Sequence, residues 1–171
     1  DEGYLFIGDT YNIVEQNQNI FLIRANSLGD TLWTKEFGGQ ETDYGADIVA
    51  TVDGGYMILG STQQFSLLNF DIWMIKIDNE GTEQWNKYHG SGSDDYGQTI
   101  LYLSDGTYLI KAISSAFGNE NNSVILLKTD ASGNEEWTKS FGGTNSNHGN
   151  TIRETDDGSF IMVSSKYDYG N

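Results

Sequence analysis

The sequence predicts an all-β chain of repeated, four-stranded antiparallel units, and three observations predict it. A pattern returns every 52 residues without insertion: "DEGYLFIG" at Asp1, "DGGYMILG" at Asp53, "DGTYLIKA" at Asp105 and "DGSFIMVS" at Asp157. The apolar runs are short, rich in β-branched residues and bounded by turn signals, with no helical periodicity between them. The 171 residues also hold 21 glycines and no proline, against roughly 7% and 5% in ordinary domains, so turns are frequent and glycine makes them. A fixed period of this length marks a repeat fold, in which each unit buries its apolar faces on its neighbours.

Within one unit the elements follow in order. "GQTILYLS" (97–104) is an apolar strand that runs into Asp105-Gly106, a dipeptide favoured in tight hairpins because glycine accepts positive φ. "TYLIKAI" (107–113) returns, and after the polar stretch "SSAFGNENN" a third strand follows, "SVILLKTD" (123–130). The turn from Asp130 to Gly133 leads into "NEEWTKSFG" (134–142), whose alternation puts Trp137, Lys139 and Phe141 on one face. The same step relates Gly29, Gly81 and Gly133, then Trp33, Trp85 and Trp137, then Lys35, Lys87 and Lys139.

Four antiparallel strands in ~50 residues is the signature of a β-propeller blade. A β-solenoid is the competing geometry, but its rungs are usually shorter than this. The chain is read as one propeller segment over 1–171, with repeats 1–52, 53–104, 105–156 and a partial 157–171. With strands lettered A to D from Gly97 outward, thirteen strands make two complete blades and two partial ones, an open arc of about 3.3 repeats. Closed rings hold about four to eight blades. The chain is therefore expected to be a mature form or an excised piece of a larger propeller, completed by the remaining blades or by self-association through its open blade faces.

The stretch "FDIWMIKIDNEGTEQWNKYHGSGSDDYGQTILYLSDGTYLI" (70–110) resembles the bacterial β-propeller repeat family of the SBBP type, and is similar to repeats in secreted and surface proteins of Bacteroidetes-like bacteria. The resemblance covers the whole chain. It implies an exported bacterial protein, extracellular or on the cell surface, and little about activity, because such scaffolds serve many uses. The Asp-x-x-Gly-x-x-x-Trp element also resembles quinoprotein propellers.

A formal charge of −16 argues against nucleic acid, whose binding needs lysine and arginine to displace counterions from phosphates. No run of 18 or more apolar residues exists to insert into a membrane as a helix. Zero cysteines exclude disulfides and thiolate chemistry without fixing a compartment. No nucleophile elbow, phosphate loop or metal-spaced histidine pair is present, so an enzymatic role is disfavoured. A propeller enzyme of the quinoprotein kind, with its site outside this segment, is the alternative, and a structural module of a surface polymer is a third reading.

Repeat columns test the reactive-looking residues. His89 shares a column with Phe37 and Phe141, and His148 with Tyr44 and Tyr96, so both slots want a flat ring rather than a catalyst. The tryptophans read as packing between blades. If a tight turn over Asp78 to Gly81 sets the register, Lys76 faces Glu83, Lys128 faces Glu135 and Arg24 faces Thr31, the charged pairs each contributing ~0.2–1 kcal/mol. The repeat-leading aspartates are turn formers.

Function is expected on one rim. The A–B and C–D turns repeat closely, while the B–C loops differ: "DTYNIVEQNQN" (9–19), "STQQFSLLNF" (61–70) and "SSAFGNENN" (114–122). Variable loops on a constant frame resemble a binding surface, and Tyr11, Phe65, Phe117 and Asn121 are the candidate contacts for a protein or glycan. Asn121-Asn122-Ser123 also fits a glycosylation acceptor. The D–A crossings "GGQETDYG" (38–45) and "GSGSDDYG" (90–97) add Asp43, Asp94 and Asp95, oxygen ligands suited to calcium. Their spacing matches no EF-hand, and the third crossing, "GGTNSNHG", lacks carboxylates. No organic cofactor is expected.

Overall fold

A computed structural model describes residues 3–63, 69–116, 123–141 and 147–166. These form thirteen strands and, among the described residues, no helix. The strands are β1 (Gly3–Asn12), β2 (Asn17–Asn26), β3 (Thr31–Phe37), β4 (Asp43–Ala50), β5 (Tyr56–Thr62), β6 (Asp71–Ile77) and β7 (Glu83–His89). They continue with β8 (Asp95–Tyr102), β9 (Tyr108–Ser114), β10 (Ser123–Thr129), β11 (Glu135–Phe141), β12 (Asn147–Glu154) and β13 (Phe160–Lys166). Each sheet is an antiparallel meander: β1-β2-β3, β4-β5-β6-β7, β8-β9-β10-β11 and β12-β13. Two four-stranded sheets thus stand between a three-stranded and a two-stranded one, blade-like units in the order the repeat predicts.

Burial separates the strands within a sheet. The middle strands β5 and β6 read "YMILGST" and "DIWMIKI" and are covered on both faces. The strands β3, β7 and β11, which carry the recurring Trp33, Trp85 and Trp137, form sheet edges and are exposed or half-buried along nearly all their length. Three apolar clusters fill the spaces between successive sheets. Ile20, Leu22 and Phe37 meet Ile58, Ile75 and Ile77 in the first. Met57, Leu59 and Met74 meet Ile100, Ile110 and Leu127 in the second, and Leu109 and Leu126 meet Ile152 in the third. No sheet has a core of its own, so stability rests on stacking.

The hairpins are one loop used repeatedly. Each A–B and C–D turn spans three residues and is closed by two backbone bonds, such as Asp78 N to Thr82 O (3.0 Å) and Gly81 N to Asp78 O (3.2 Å). The glycine before the return strand holds φ between 76° and 89° at Gly29, Gly54, Gly81, Gly106, Gly133 and Gly158, the left-handed position of a three-residue hairpin.

This loop corrects the expected register. After Ile77 pairs with Glu83, a bulge at Gln84 sets Lys76 opposite Trp85; likewise Lys128 lies opposite Trp137 and Arg24 opposite Trp33. The loop is one residue longer than a tight turn and the bulge adds another, so the Lys76–Glu83, Lys128–Glu135 and Arg24–Thr31 pairs do not form. Buried Lys76 instead reaches Asp53 (2.9 Å) and the Ile77 carbonyl (3.1 Å), and Lys128 reaches Glu136 (2.8 Å) and Asp105 (3.7 Å). Asp53 also accepts from Thr51 and from the Gly55 N–H. The Thr51 hydroxyl and then Lys76 hold its carboxyl well down, at about 2. Asp53 and Asp105 thus shape their turns and also bind Lys76 and Lys128.

A second bulge recurs in β4, β8 and β12, one residue after Gly45, Gly97 and Gly149. A bulge disrupts the ladder locally and leaves backbone groups for other partners. Asp9 of the first sheet accepts from Gly45 N (2.7 Å), and Ser61, one repeat on, accepts from Gly97 N (3.0 Å). Hydrogen bonds as well as apolar packing therefore tie the first sheet to the second and the second to the third.

Candidate functional site

The three columns with glycine, tryptophan and lysine meet between sheets. A Cβ placed on Gly133 would lie 2.7 Å from Trp85 Cζ3 and 3.0 Å from Lys87 Cγ, and one on Gly81 would lie 2.9 Å from Lys35 Cγ and 3.2 Å from Trp33 Cη2. The outer strand of one sheet thus lays its tryptophan face and lysine stem on the turn glycine of the next. Gly29 meets nothing within 4 Å, because no described sheet precedes it. Trp137, one repeat on, packs against the third apolar cluster.

His89 follows from the same contact. It ends β7 half-buried, where Phe37 is buried in the first repeat, and its Nε2 lies 3.1 Å from the Gly133 carbonyl. Burial lowers its pKa, opposed in part by that carbonyl and by Glu135. The folded ring holds its proton less tightly than the unfolded one, so stability from this group falls as pH drops below about 6.5. His89→Phe is expected to leave stability at pH 7.5 within about 1.5 kcal/mol and to remove this part of the loss between pH 7.5 and 5. Thermal unfolding of both proteins across that range checks it. His148 lies in β12, and its side chain falls outside the described residues.

The rim residues fare unevenly. The segment 9–19, expected as a loop, is mostly strand: β1 runs to Asn12 and β2 starts at Asn17. The Asn12 side chain caps the turn between them by accepting from Val14 N (3.0 Å) and Glu15 N (3.2 Å), an Asx-type turn that replaces a longer loop. Tyr11 is therefore an exposed strand residue near a hairpin tip, opposite Gln18. Phe65, Phe117 and Asn121 lie outside the described residues. Tyr44 and Tyr96 sandwich Phe70, with ring centroids at 5.3 and 4.9 Å, a packing role.

Asp43, Asp94 and Asp95 are not brought to one point. Asp43 is buried at the start of β4 and accepts from Gly39 N (3.2 Å), closing the first crossing. Burial raises its pKa, while Thr62 and Gly39 oppose the shift. Asp95, its counterpart at the start of β8, accepts from both the N–H and the hydroxyl of Ser91 at 2.6 Å. Asp94 turns the other way and accepts from Phe70 N (3.0 Å). Among the described residues, no three or more His, Asp or Glu side chains gather as a metal site.

Two clefts lie beside these crossings and repeat one another. The first, about 530 Å³, is lined in part by Phe37, Asp43, Trp73 and Glu83; their counterparts His89, Asp95, Ile125 and Glu135 line the second, about 240 Å³. The first is acidic and aromatic, with Trp73 and Tyr88 stacked at 5.8 Å.

Sequence reasoning missed Lys111, fully buried in β9, whose Nζ donates to Gln98 Oε1 (2.9 Å). The signal was present: its column otherwise holds Ile7, Leu59 and Val163. It also missed Asp71, which faces the second crossing, where the first repeat has Asn19. Comparison with known families and with curated proteins finds no match for this chain.

Proposed function

We propose that the chain is a section of a β-propeller that serves an exported, cell-surface bacterial protein as a non-catalytic scaffold, offering one rim to a protein or glycan. The supporting observation is the repeated lock between sheets, Trp33 and Lys35 on Gly81, then Trp85 and Lys87 on Gly133. The same contact at both of these 52-residue steps supports the reading, because stacking like units by one repeated contact is how a propeller is generated. Uncovered apolar side chains on the outward faces, Tyr4 and Phe6 on β1 and Ile161 and Val163 on β13, favour further blades or a second copy as neighbours.

The rim is favoured by contrast between the two ends of the sheets. One end carries the same three-residue loop throughout. The other carries connections of different length and sequence, 13–16 between β1 and β2 against 63–70 and 115–122 in the later sheets, and such variation on a rigid frame suits recognition. A glycan array and a pull-down with the chain are expected to give a ligand whose binding weakens about tenfold or more in Tyr11→Ala, Phe65→Ala or Phe117→Ala. Binding that survives all three substitutions, or a screen without any ligand, overturns the rim assignment. Turnover of a bound substrate overturns the non-catalytic reading.

A further inference from the structure

At the first two crossings the polypeptide passes beside side chains from two columns that recur in the sequence at the 52-residue step. The first column holds Asn19, Asp71 and Ser123; the second holds Asp43, Asp95 and Asn147. In the first crossing they close on one small space, since a Cβ on Gly38 would lie 2.4 Å from Asn19 Oδ1 and 2.5 Å from Asp43 Oδ2. An amide beside a carboxylate can satisfy itself, because turning the Asn19 amide over presents an N–H to Asp43. A serine and an asparagine, the third pair, also carry their own donors.

The second pair is two carboxylates. Asp71 Oδ1 fills the space beside Gly90, where no Cβ would fit, and Asp95 stands at the same crossing, 1% exposed. Asp95 Oδ2 takes both donors of Ser91, while Oδ1 is buried with no partner. An ionised carboxylate only accepts, and a buried acceptor without a donor is costly. Among the described residues no lysine or arginine lines the adjoining cleft, which sets Ser91, His89 and Glu135 beside Asp95 and reaches Gly90, against which Asp71 lies.

We propose that Asp71 and Asp95 bind a hard divalent cation of the calcium type, which fastens the second crossing between the sheets β4–β7 and β8–β11. Calcium takes about six to eight oxygens and accepts irregular, partly hydrated shells. The two carboxylates supply the protein's charge, the Ser91 hydroxyl stands beside them, and the cleft of about 240 Å³ admits water for the rest. The electrostatics agree: burial and then the charge of Asp95 raise the pKa of Asp71, so a cation relieves what the pair otherwise suffers. The inference is independent of what the rim recognises.

The test follows thermal unfolding and calorimetric titration of the whole chain at pH 7, with calcium chloride against EDTA. Calcium well above its Kd is expected to raise the unfolding temperature of the wild type by about 3–6 °C and to titrate at one equivalent. Asp71→Asn gives the second crossing the chemistry of the first. It should unfold at a higher temperature than the wild type in EDTA and show no calcium response. Asn19→Asp in the wild-type background should add a second calcium equivalent. Equal unfolding temperatures in calcium and EDTA overturn the site, as does an Asp71→Asn protein that responds like the wild type. If the wild type responds only to acid, gaining stability as the pH falls in a manner that Asp71→Asn abolishes, a shared proton holds the pair and the cation assignment is wrong.

Discussion

Gly133→Ala is expected to destabilise the chain by about 3 kcal/mol, while Gly29→Ala costs only about 1 kcal/mol. Both glycines close the same three-residue loop at similar positive φ, 76° and 89°, so both substitutions carry the left-handed penalty of an L-residue, roughly 1–2 kcal/mol. They differ in what the new methyl group meets. At Gly133 it would sit 2.7 and 2.8 Å from Trp85 ring carbons, whereas at Gly29 nothing lies within 4 Å. Relieving that overlap means moving a large ring that packs in the second cluster, and such overpacking costs about 1–3 kcal/mol more. Denaturant titration of the two variants measures the difference directly. Equal losses would show that Trp85 moves aside freely and that the lock contributes nothing to the stacking of sheets.

Lys111→Leu should stabilise the chain by about 1–2 kcal/mol at pH 7. The lysine is fully buried in β9, where the other repeats carry Ile7, Leu59 and Val163. Burial is the cause that lowers its pKa from the ordinary 10.5. The unfolded chain then binds the proton more tightly than the folded one, so charge at this position opposes folding at neutral pH. That opposition weakens as pH rises from the lowered pKa towards 10.5. The advantage of leucine should accordingly shrink in the alkaline range, and paired denaturation curves at pH 7 and pH 10 give both numbers. A loss of stability in Lys111→Leu would mean that the bond to Gln98 Oε1 and its surroundings outweigh the burial of charge. In that case the lysine holds the bulge of β8 in place.

Strand count, strand order and the identity of the edge strands were legible because they depend on local chemistry. Glycine at a fixed offset makes each hairpin, and uninterrupted apolar runs such as "YMILG" mark strands covered on both faces. Register was not legible. A loop one residue longer than a tight turn and a bulge at Gln84 leave no mark in composition, yet they move Lys76 from Glu83 to Trp85. The ion pair then forms with Asp53, 23 residues away, rather than across the nearest turn. Of the expected site, Asp43, Asp94 and Asp95 were singled out together as calcium ligands, and the structure separates Asp94 from the other two, which recur at one place in successive crossings. Their partners Asn19 and Asp71 were not singled out, because the two columns lie 24 residues apart and meet only across a crossing.

The sequence by itself therefore determined the unit: four strands, six like turns, and a copy every 52 residues. Turn chemistry and side-chain alternation act over a few residues, and repetition makes each reading check the others. Only the tertiary structure decided what the recurring columns are for, because their contacts run between units. Trp85 and Lys87 press on Gly133 of the next sheet, Asp9 and Ser61 receive bonds from strands one sheet away, and Asp71 fills the space beside Gly90 in the crossing that Asp95 closes through Ser91. A side chain's neighbours across a stacked interface depend on twist, bulge and loop length together, and those are fixed only when the sheets pack.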